Sequence, residues 1–216
     1  MTTPPDHPKI YHMTHVGNLA GIIADGHLAS ESAVSRRGVP VRRIGIAKIK
    51  RRRVEELPIH CHTGTNVADY VPFYFCPRSV MLYVIHCNNN PDLTYHGGQG
   101  PIVHLQADLH AAIEWAERHD RRWAFSLSNA GAFYCEFRSR TDQLDQLDWP
   151  SIAASDFRPV IVKEHKQAEF LMHESFPFDL VERIGVQSDA IRTRAEAALA
   201  GGRHRPPVEI HREWYF

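Results

Sequence analysis

The sequence predicts an α+β fold, and three observations carry that prediction. Short apolar strands and short amphipathic helices follow one another irregularly, without the steady strand–helix alternation of a doubly wound sheet. One strand breaks directly into a helix within residues 70–83, YVPFYFCPRSVMLY. A late run, residues 168–173, puts Glu169, Leu171 and His173 on one face and Phe170 and Met172 on the other.

Taken in order, residues 1–8 are proline-rich and polar and read as a loose arm. Tyr11-His12-Met13-Thr14 lies in a short strand. A helix follows, with Leu19, Ile22 and Ile23 on its inner face and Gly26 at its C-terminal end. Residues 28–69 show little apolar periodicity and read mostly as loop, with room for a short helix over 44–54. Residues 71–76 form a strand that Pro77 stops, because proline offers no backbone donor. Ser79 then caps a helix over Val80–Cys87.

Residues 102–105 read as a strand, Leu109–Arg118 as a helix and residues 123–127 as a strand. Asn129-Ala130-Gly131 is a turn, and residues 133–137 form a further strand or a structured loop. Residues 144–152 suggest a short helix, 160–162 the start of a strand, and 168–173 the clearest late strand. A helical turn over 178–183, a strand over 184–187, a helix over 188–200 and a closing strand over 208–215 complete the pattern. Residues 1–216 read as a single domain.

Composition narrows the function. Hydrophobic residues make up 43% of the chain, enough for a core, and 25 basic residues balance 25 acidic ones. The charge is unevenly spread. Arg36, Arg37, Arg42, Arg43, Lys48, Lys50, Arg51, Arg52 and Arg53 fall in one segment with no acid between Ser32 and Val54. Such a run is either a solvated loop or a contact for a phosphate-bearing partner. The four cysteines lack Cys-x-x-Cys spacing, which argues against a zinc ribbon or a disulfide framework. His60-Cys61-His62 are adjacent and do not converge on one ion, so no metal is expected. Nothing resembles a signal peptide or a membrane span, and a cytoplasmic location with reduced thiols is expected.

Three pieces carry chemistry. His12 sits on a strand just before a helix. Arg78 and Ser79 occupy a strand–helix corner, where free N–H groups favour anions. Glu169 is a lone carboxylate on an otherwise apolar strand. Each has a plain structural reading: a satisfied core histidine, a packed corner, a strand-edge charge. There is no Gly-x-Gly-x-x-Gly, so a dinucleotide would bind without a Rossmann site.

Together, and in this order, the pieces resemble the ADP-ribosyltransferase fold, in which strands of a split sheet clamp NAD. IYHMTH, DYVPFYFCPRSVMLY, GGQGPIVHL, KQAEFLM and EWYF resemble, more closely, the DarT family, from Ile10 to Phe216. The resemblance implies a toxin that uses NAD to ADP-ribosylate a base of single-stranded DNA, typically thymine. It also implies a DarG-like macrodomain antitoxin that reverses the mark, and no membrane partner.

Carried over residue by residue, the resemblance implies that His12 binds a ribose hydroxyl and that the backbone at Met13, beside Thr14, grips the nicotinamide amide. Gly21 and Ala29 fall where cofactor contacts continue. Arg78 and Ser79 would floor the cleft, and Met81 would take a stacking position that many relatives fill with tyrosine. Glu169 matches the catalytic glutamate, which would stabilise an oxocarbenium-like ribose. Arg53, or a neighbour among Arg51 and Arg52, matches an arginine that acts at the base. An arginine is a poor base, so stabilising a developing anion, or positioning the base and the NAD phosphates, suits it better than proton transfer. The segment 34–54 would order NAD and DNA, and 126–166 would be the substrate loop, with Asn129 and Tyr74 near the base and Phe157 available for stacking. Two other readings remain: an acceptor on protein or RNA, and a non-catalytic nucleic-acid-binding module.

Overall fold

The structure, a computed structural model, describes residues 2–38, 40–46, 52–53, 55–132 and 134–216. Its centre is an eight-stranded sheet in the order β10-β9-β4-β1-β3-β7-β5-β6. The strands are β1 (Lys9–His15), β3 (Tyr70–Tyr74), β4 (Ile102–Asp108), β5 (Trp123–Ser126), β6 (Phe137–Arg138), β7 (Glu169–His173), β9 (Val181–Val186) and β10 (Val208–Ile210). All neighbours are antiparallel except β9 and β10. Two further strands, β2 (His27–Ala29) and β8 (Ser175–Pro177), form a separate antiparallel pair. Around them lie α1 (Leu19–Asp25), α2 (Glu31–Arg37), α3 (Val80–Cys87), α4 (Leu109–Arg118), α5 (Trp149–Ala153), α6 (Val160–His165) and α7 (Asp189–Leu199). The arrangement is α+β.

The alternation read from residues 168–173 sorts the two faces. Phe170 and Met172 join Val71, Phe73 and Phe125 in the main core, while Leu171 packs with Tyr70 and Ala124 on the other side. Glu169 shares the second face, at the start of β7.

The sheet is nearly parted at its middle. β1 and β3 pair only at Tyr11 opposite Tyr74. Extending that register would put Met13 opposite Pro72, which has no N–H to give. The Pro72 carbonyl is taken by a ring instead: His12 Nδ1 lies 2.8 Å from it. A carbonyl can only accept, so His12 carries its proton on Nδ1. β1 and β4, by contrast, pair along their whole length, from Lys9 opposite Asp108 to His15 opposite Ile102.

Helix α3 starts as its sequence requires. Ser79 Oγ accepts from Leu82 N at 3.2 Å, and the hydroxyl is fully buried. The C-terminal segment closes the other flank. Tyr215 OH lies 2.8 Å from the Ile102 carbonyl and 3.1 Å from the Gly185 carbonyl. Gly185 makes room for Trp214, since a Cβ there would stand 2.1 Å from the indole. His104 sits beneath, with Nε2 3.0 Å from the Pro77 carbonyl and Nδ1 3.2 Å from Tyr215 OH.

Burial pushes His104 down to about 4, outweighing its bond to Pro77. An unfolded histidine protonates near pH 6.5, so between those values the unfolded state holds the extra proton. Stability is therefore complete above about pH 6.5, falls with pH through the window and levels off below 4. The expected loss is about 2 kcal/mol between pH 7 and pH 5. Urea denaturation at both pH values should show it for the parent, and a His104→Gln variant should lose less.

Several expected elements differ. Residues 160–162 are not a strand but the first turn of α6, which begins behind Pro159; Val160 and Ile161 are 81% and 62% exposed, so this apolar run is not buried. The stretch 28–69 is mostly loop among its described residues but also carries a helix outside the expected 44–54: α2 is capped by Ser30, whose Oγ accepts from Ala33 N, and ends at Gly38 with φ +65°. The helix expected over 144–152 is divided into a 3-10 turn and α5, with Pro150 in the first turn of α5. The closing strand stops at Ile210 and gives way to a 3-10 turn at Arg212–Trp214. The expected strand over 71–76 runs from Tyr70 to Tyr74. Of the expected helix over 44–54, residues 47–51 and 54 lie outside the described residues; Arg52, Arg53 and Glu55 have helical backbone.

Candidate active site

Where β1 and β3 part, a cleft of about 280 Å³ opens. β1 contributes His12, Met13 and Thr14, and β3 contributes Pro72 and Tyr74. Gln167 and Glu169 enter from the start of β7, Met81 from α3, Ala29 from β2 and Asn129 from the turn after β5. Arg42, Arg43 and Arg53 line the same space, so these three arginines of the basic segment border the cleft.

Glu169 is its chemical centre. The residue is 1% exposed, and its backbone N–H donates to Ser126 Oγ at 2.9 Å. One carboxylate oxygen, Oε1, accepts from Arg53 Nη2. The other, Oε2, is buried and has no partner among the described residues. Tyr74 stands opposite Glu169 in the β3–β7 ladder.

The electrostatics follow from burial. Desolvation alone would push the Arg53 guanidinium down, but the Glu169 carboxylate outweighs it and the net displacement is upward. Arg53 therefore stays charged and cannot serve as a base. Burial, and then the Glu169 charge, push the Tyr74 phenol well up, so it remains protonated and able to donate.

Asn18, at the end of β1's turn into α1, ties the basic segment down. Its Oδ1 accepts from Arg42 N, and its Nδ2 donates to the Arg42 carbonyl and to Thr14 Oγ1, each at 3.0 Å. Ile46 bridges to Leu93 and packs with Ile85 beneath. Arg42 makes no ion pair among the described residues, whereas Arg43 is engaged by Glu31 at 2.8 Å. Arg42 is thus an exposed cation held beside the cleft. On the expectation from the motifs that the cleft takes NAD, Asn18→Ala should raise KM for NAD about tenfold, with a smaller effect on kcat, since the clasp acts on binding geometry. Initial-rate measurements over a range of NAD concentrations check this.

Of the residues singled out in the sequence, His12, Met13, Thr14, Ala29, Arg53, Tyr74, Met81, Asn129 and Glu169 line the cleft. Three do not. Gly21 lies exposed on α1. Ser79 is sealed behind the wall, where its hydroxyl contacts Met13 Sδ at 3.4 Å. Arg78 turns the other way, over the Phe216 ring at 4.3 Å, because the strand ends at Tyr74 and the chain turns before α3. Sequence reasoning missed Asn18, Gln167 and Ser126. Gln167 was legible, since it lies two residues before Glu169 and so on the same face. Asn18 and Ser126 act through hydrogen bonds across the fold and left no local signal. Among the described residues, no three histidine, cysteine or carboxylate side chains are grouped as metal ligands.

A sheet opened at its centre, with a histidine on one lip and a sequestered glutamate on the other, is the ADP-ribosyltransferase arrangement that the motifs implied. A family model described as "DarT: ssDNA thymidine ADP-ribosyltransferase" matches residues 11–216. A DNA ADP-ribosyl transferase of Thermus aquaticus is 38% identical over 209 residues, covering 96% of this chain and 88% of that one. The structure of Thermus sp. 2.9 DarT in complex with ADP-ribosylated single-stranded DNA superposes with a TM-score of 0.89 at 35% identity, covering 100% of both chains. The same protein in complex with NAD+ gives 0.82 at 35% identity, over 99% of this chain and 100% of that one. The chain belongs to the DarT family of DNA ADP-ribosyltransferases.

Proposed function

We propose that this enzyme transfers ADP-ribose from NAD to N3 of a thymine in single-stranded DNA, and that it does so as the toxin of a toxin–antitoxin pair. The observation that supports the reaction is the divided Glu169 carboxylate. Arg53 holds Oε1, which fixes the group, while Oε2 is buried and has no partner among the described residues. An unpaired buried carboxylate oxygen is costly unless a ligand completes it. A ribose 2′-hydroxyl would do so by donating to Oε2.

NAD is the co-substrate. His12 and the Met13–Thr14 backbone take the nicotinamide riboside end, and Arg42 faces the phosphates. The bond from ribose C1 to the nicotinamide nitrogen breaks, and nicotinamide leaves with the electron pair. Positive charge grows on the ribose, and Glu169 stabilises it. Thymine N3 then supplies its lone pair to C1 as its proton passes to solvent. The balance is NAD+ plus thymine giving ADP-ribosyl-thymine, nicotinamide and a proton. Arg53, permanently charged, steadies the negative charge that develops on the thymine ring. Asn129, which donates to Gln167 Oε1 at 3.3 Å, stands where the base edge would enter.

Duplex DNA hides thymine N3 in its base pair, so the substrate is a single strand or a flipped base. The reaction takes place in the cytoplasm, and a DarG-like macrodomain antitoxin removes the mark. Incubation with NAD and defined oligonucleotides tests the reading. A thymine-containing single strand should gain the mass of one ADP-ribose, and its duplex and a thymine-free strand should not. Gain on protein, on RNA or on a thymine-free strand alone would overturn it. In cells, induction of the parent should arrest growth and co-expression of the macrodomain partner should restore it.

A further inference from the structure

The cleft has two chemically different ends. Around Glu169 it is polar, with Arg53, Tyr74 and Asn129. Elsewhere Ala29, Val34 and Val41 make an apolar wall, and a second carboxylate, Glu31, joins them. Glu31 and Glu169 are the only acids among the described residues that line the cleft. Glu31 opens α2, and Val34 follows it by three residues, so both project from one side of that helix.

β7 measures how far apart the ends lie. Ser30, the cap of α2, donates its N–H to the Glu174 carbonyl at 2.8 Å, and Ala29 pairs with Ser175. Glu174 is five residues past Glu169, roughly 16 Å at the rise of a strand. A ligand that offers a ribose to Glu169 reaches Glu31 only if it carries a second nucleotide. NAD does, and that half is an adenosine: a flat base and a ribose with two neighbouring hydroxyls. An apolar wall with a carboxylate beside it suits both parts, because an ionised carboxylate only accepts and can take a hydroxyl on each oxygen.

Glu31 also controls a cation. Its Oε1 accepts from Arg43 Nε at 2.8 Å, and Arg43 Nη2 lies 3.4 Å from Ser35 Oγ. A phosphate on the adenosine 2′-oxygen would meet like charge at Glu31 and find Arg43 already neutralised. Rossmann sites separate the two dinucleotides by the same chemistry, an acid for the 2′-hydroxyl or an arginine for the 2′-phosphate. Here both groups sit at one end of a split-sheet cleft, and the acid holds the arginine.

We propose that Glu31 selects NAD over NADP, by binding the adenosine 2′-hydroxyl and by keeping Arg43 from a 2′-phosphate. The proposal rests on the reading above that Glu169 faces the nicotinamide ribose, and extends it to the other half of the co-substrate.

Calorimetric titration with NAD and with NADP, in the absence of DNA, tests it. The parent should bind NAD about a hundredfold more tightly than NADP. Glu31→Gln keeps the shape and removes the charge, and should narrow that ratio about tenfold, chiefly through tighter binding of NADP. Adding Arg43→Gln to it should abolish the gain, because the released guanidinium is what takes the phosphate. An NAD analogue without the adenosine 2′-hydroxyl should bind the parent about tenfold more weakly than NAD, and should cost Glu31→Ala about twofold or less. Equal sensitivity of the two proteins to that analogue would overturn the proposal, by reducing Glu31 to a support for α2. A parent that binds NAD and NADP alike, or a Glu31→Gln protein with an unchanged ratio, would overturn it too. Binding is read without an acceptor, so a protein that shows these ratios and modifies no thymine refutes the DNA reading and sustains this one.

Discussion

Glu169→Gln should lower the rate of transfer to single-stranded DNA by a factor of a hundred to a thousand. The amide keeps the shape of the side chain and can still accept from Arg53. It removes the negative charge that the ribose cation needs as nicotinamide departs. An oriented charged group in a dry site is worth roughly that much in other enzymes, because no solvent has to reorganise as charge develops. The loss should fall on kcat more than on KM for NAD, since the interaction strengthens only in the transition state. Nicotinamide release and oligonucleotide mass, followed together, measure it. A variant within tenfold of the parent would mean that Glu169 does not face the reacting carbon.

The second large effect concerns stability. Arg53→Met alone should destabilise the fold by about 3 to 5 kcal/mol, because Glu169 is left charged and buried with neither oxygen satisfied. Glu169→Leu alone should cost about as much, for the reciprocal reason. The double variant should recover most of the loss, since an apolar pair of similar volume brings no charge to desolvate. Denaturant midpoints of the four proteins close the cycle. Additive losses in the double variant would show that the two side chains do not meet. The double variant should also be inactive, which separates what the pair does for the reaction from what it does for the fold.

Local chemistry made much of this legible in advance. Helix α3 was visible because Pro77 and Ser79 act through the backbone beside them. The faces of β7 were visible because side chains alternate with a period of two. Helix α2 was present in the sequence too, as a serine followed by a glutamate and closed by Gly38, but the surrounding arginines masked it. Residues 160–162 misled because three β-branched residues suggest a strand, while the proline before them begins a helix and leaves the apolar side chains in solvent. The site itself was readable only where motifs carried it. The turning of Arg78 away from the cleft, the Asn18 clasp and the Ser126 support depend on distant parts of the chain, and no pattern of neighbours encodes them.

Pro72 gives the cleft an unexpected kind of origin. Its contribution is a hydrogen bond that cannot form, and the gap is kept open by omission rather than by a prop. It follows that an improvement in sheet pairing would be a loss of function. Pro72→Val would offer β1 a donor, favour a zipped sheet and free the Pro72 carbonyl from His12. Selection for thermal stability alone would favour that change, and the variants it enriched would be sturdy proteins with nowhere to put NAD.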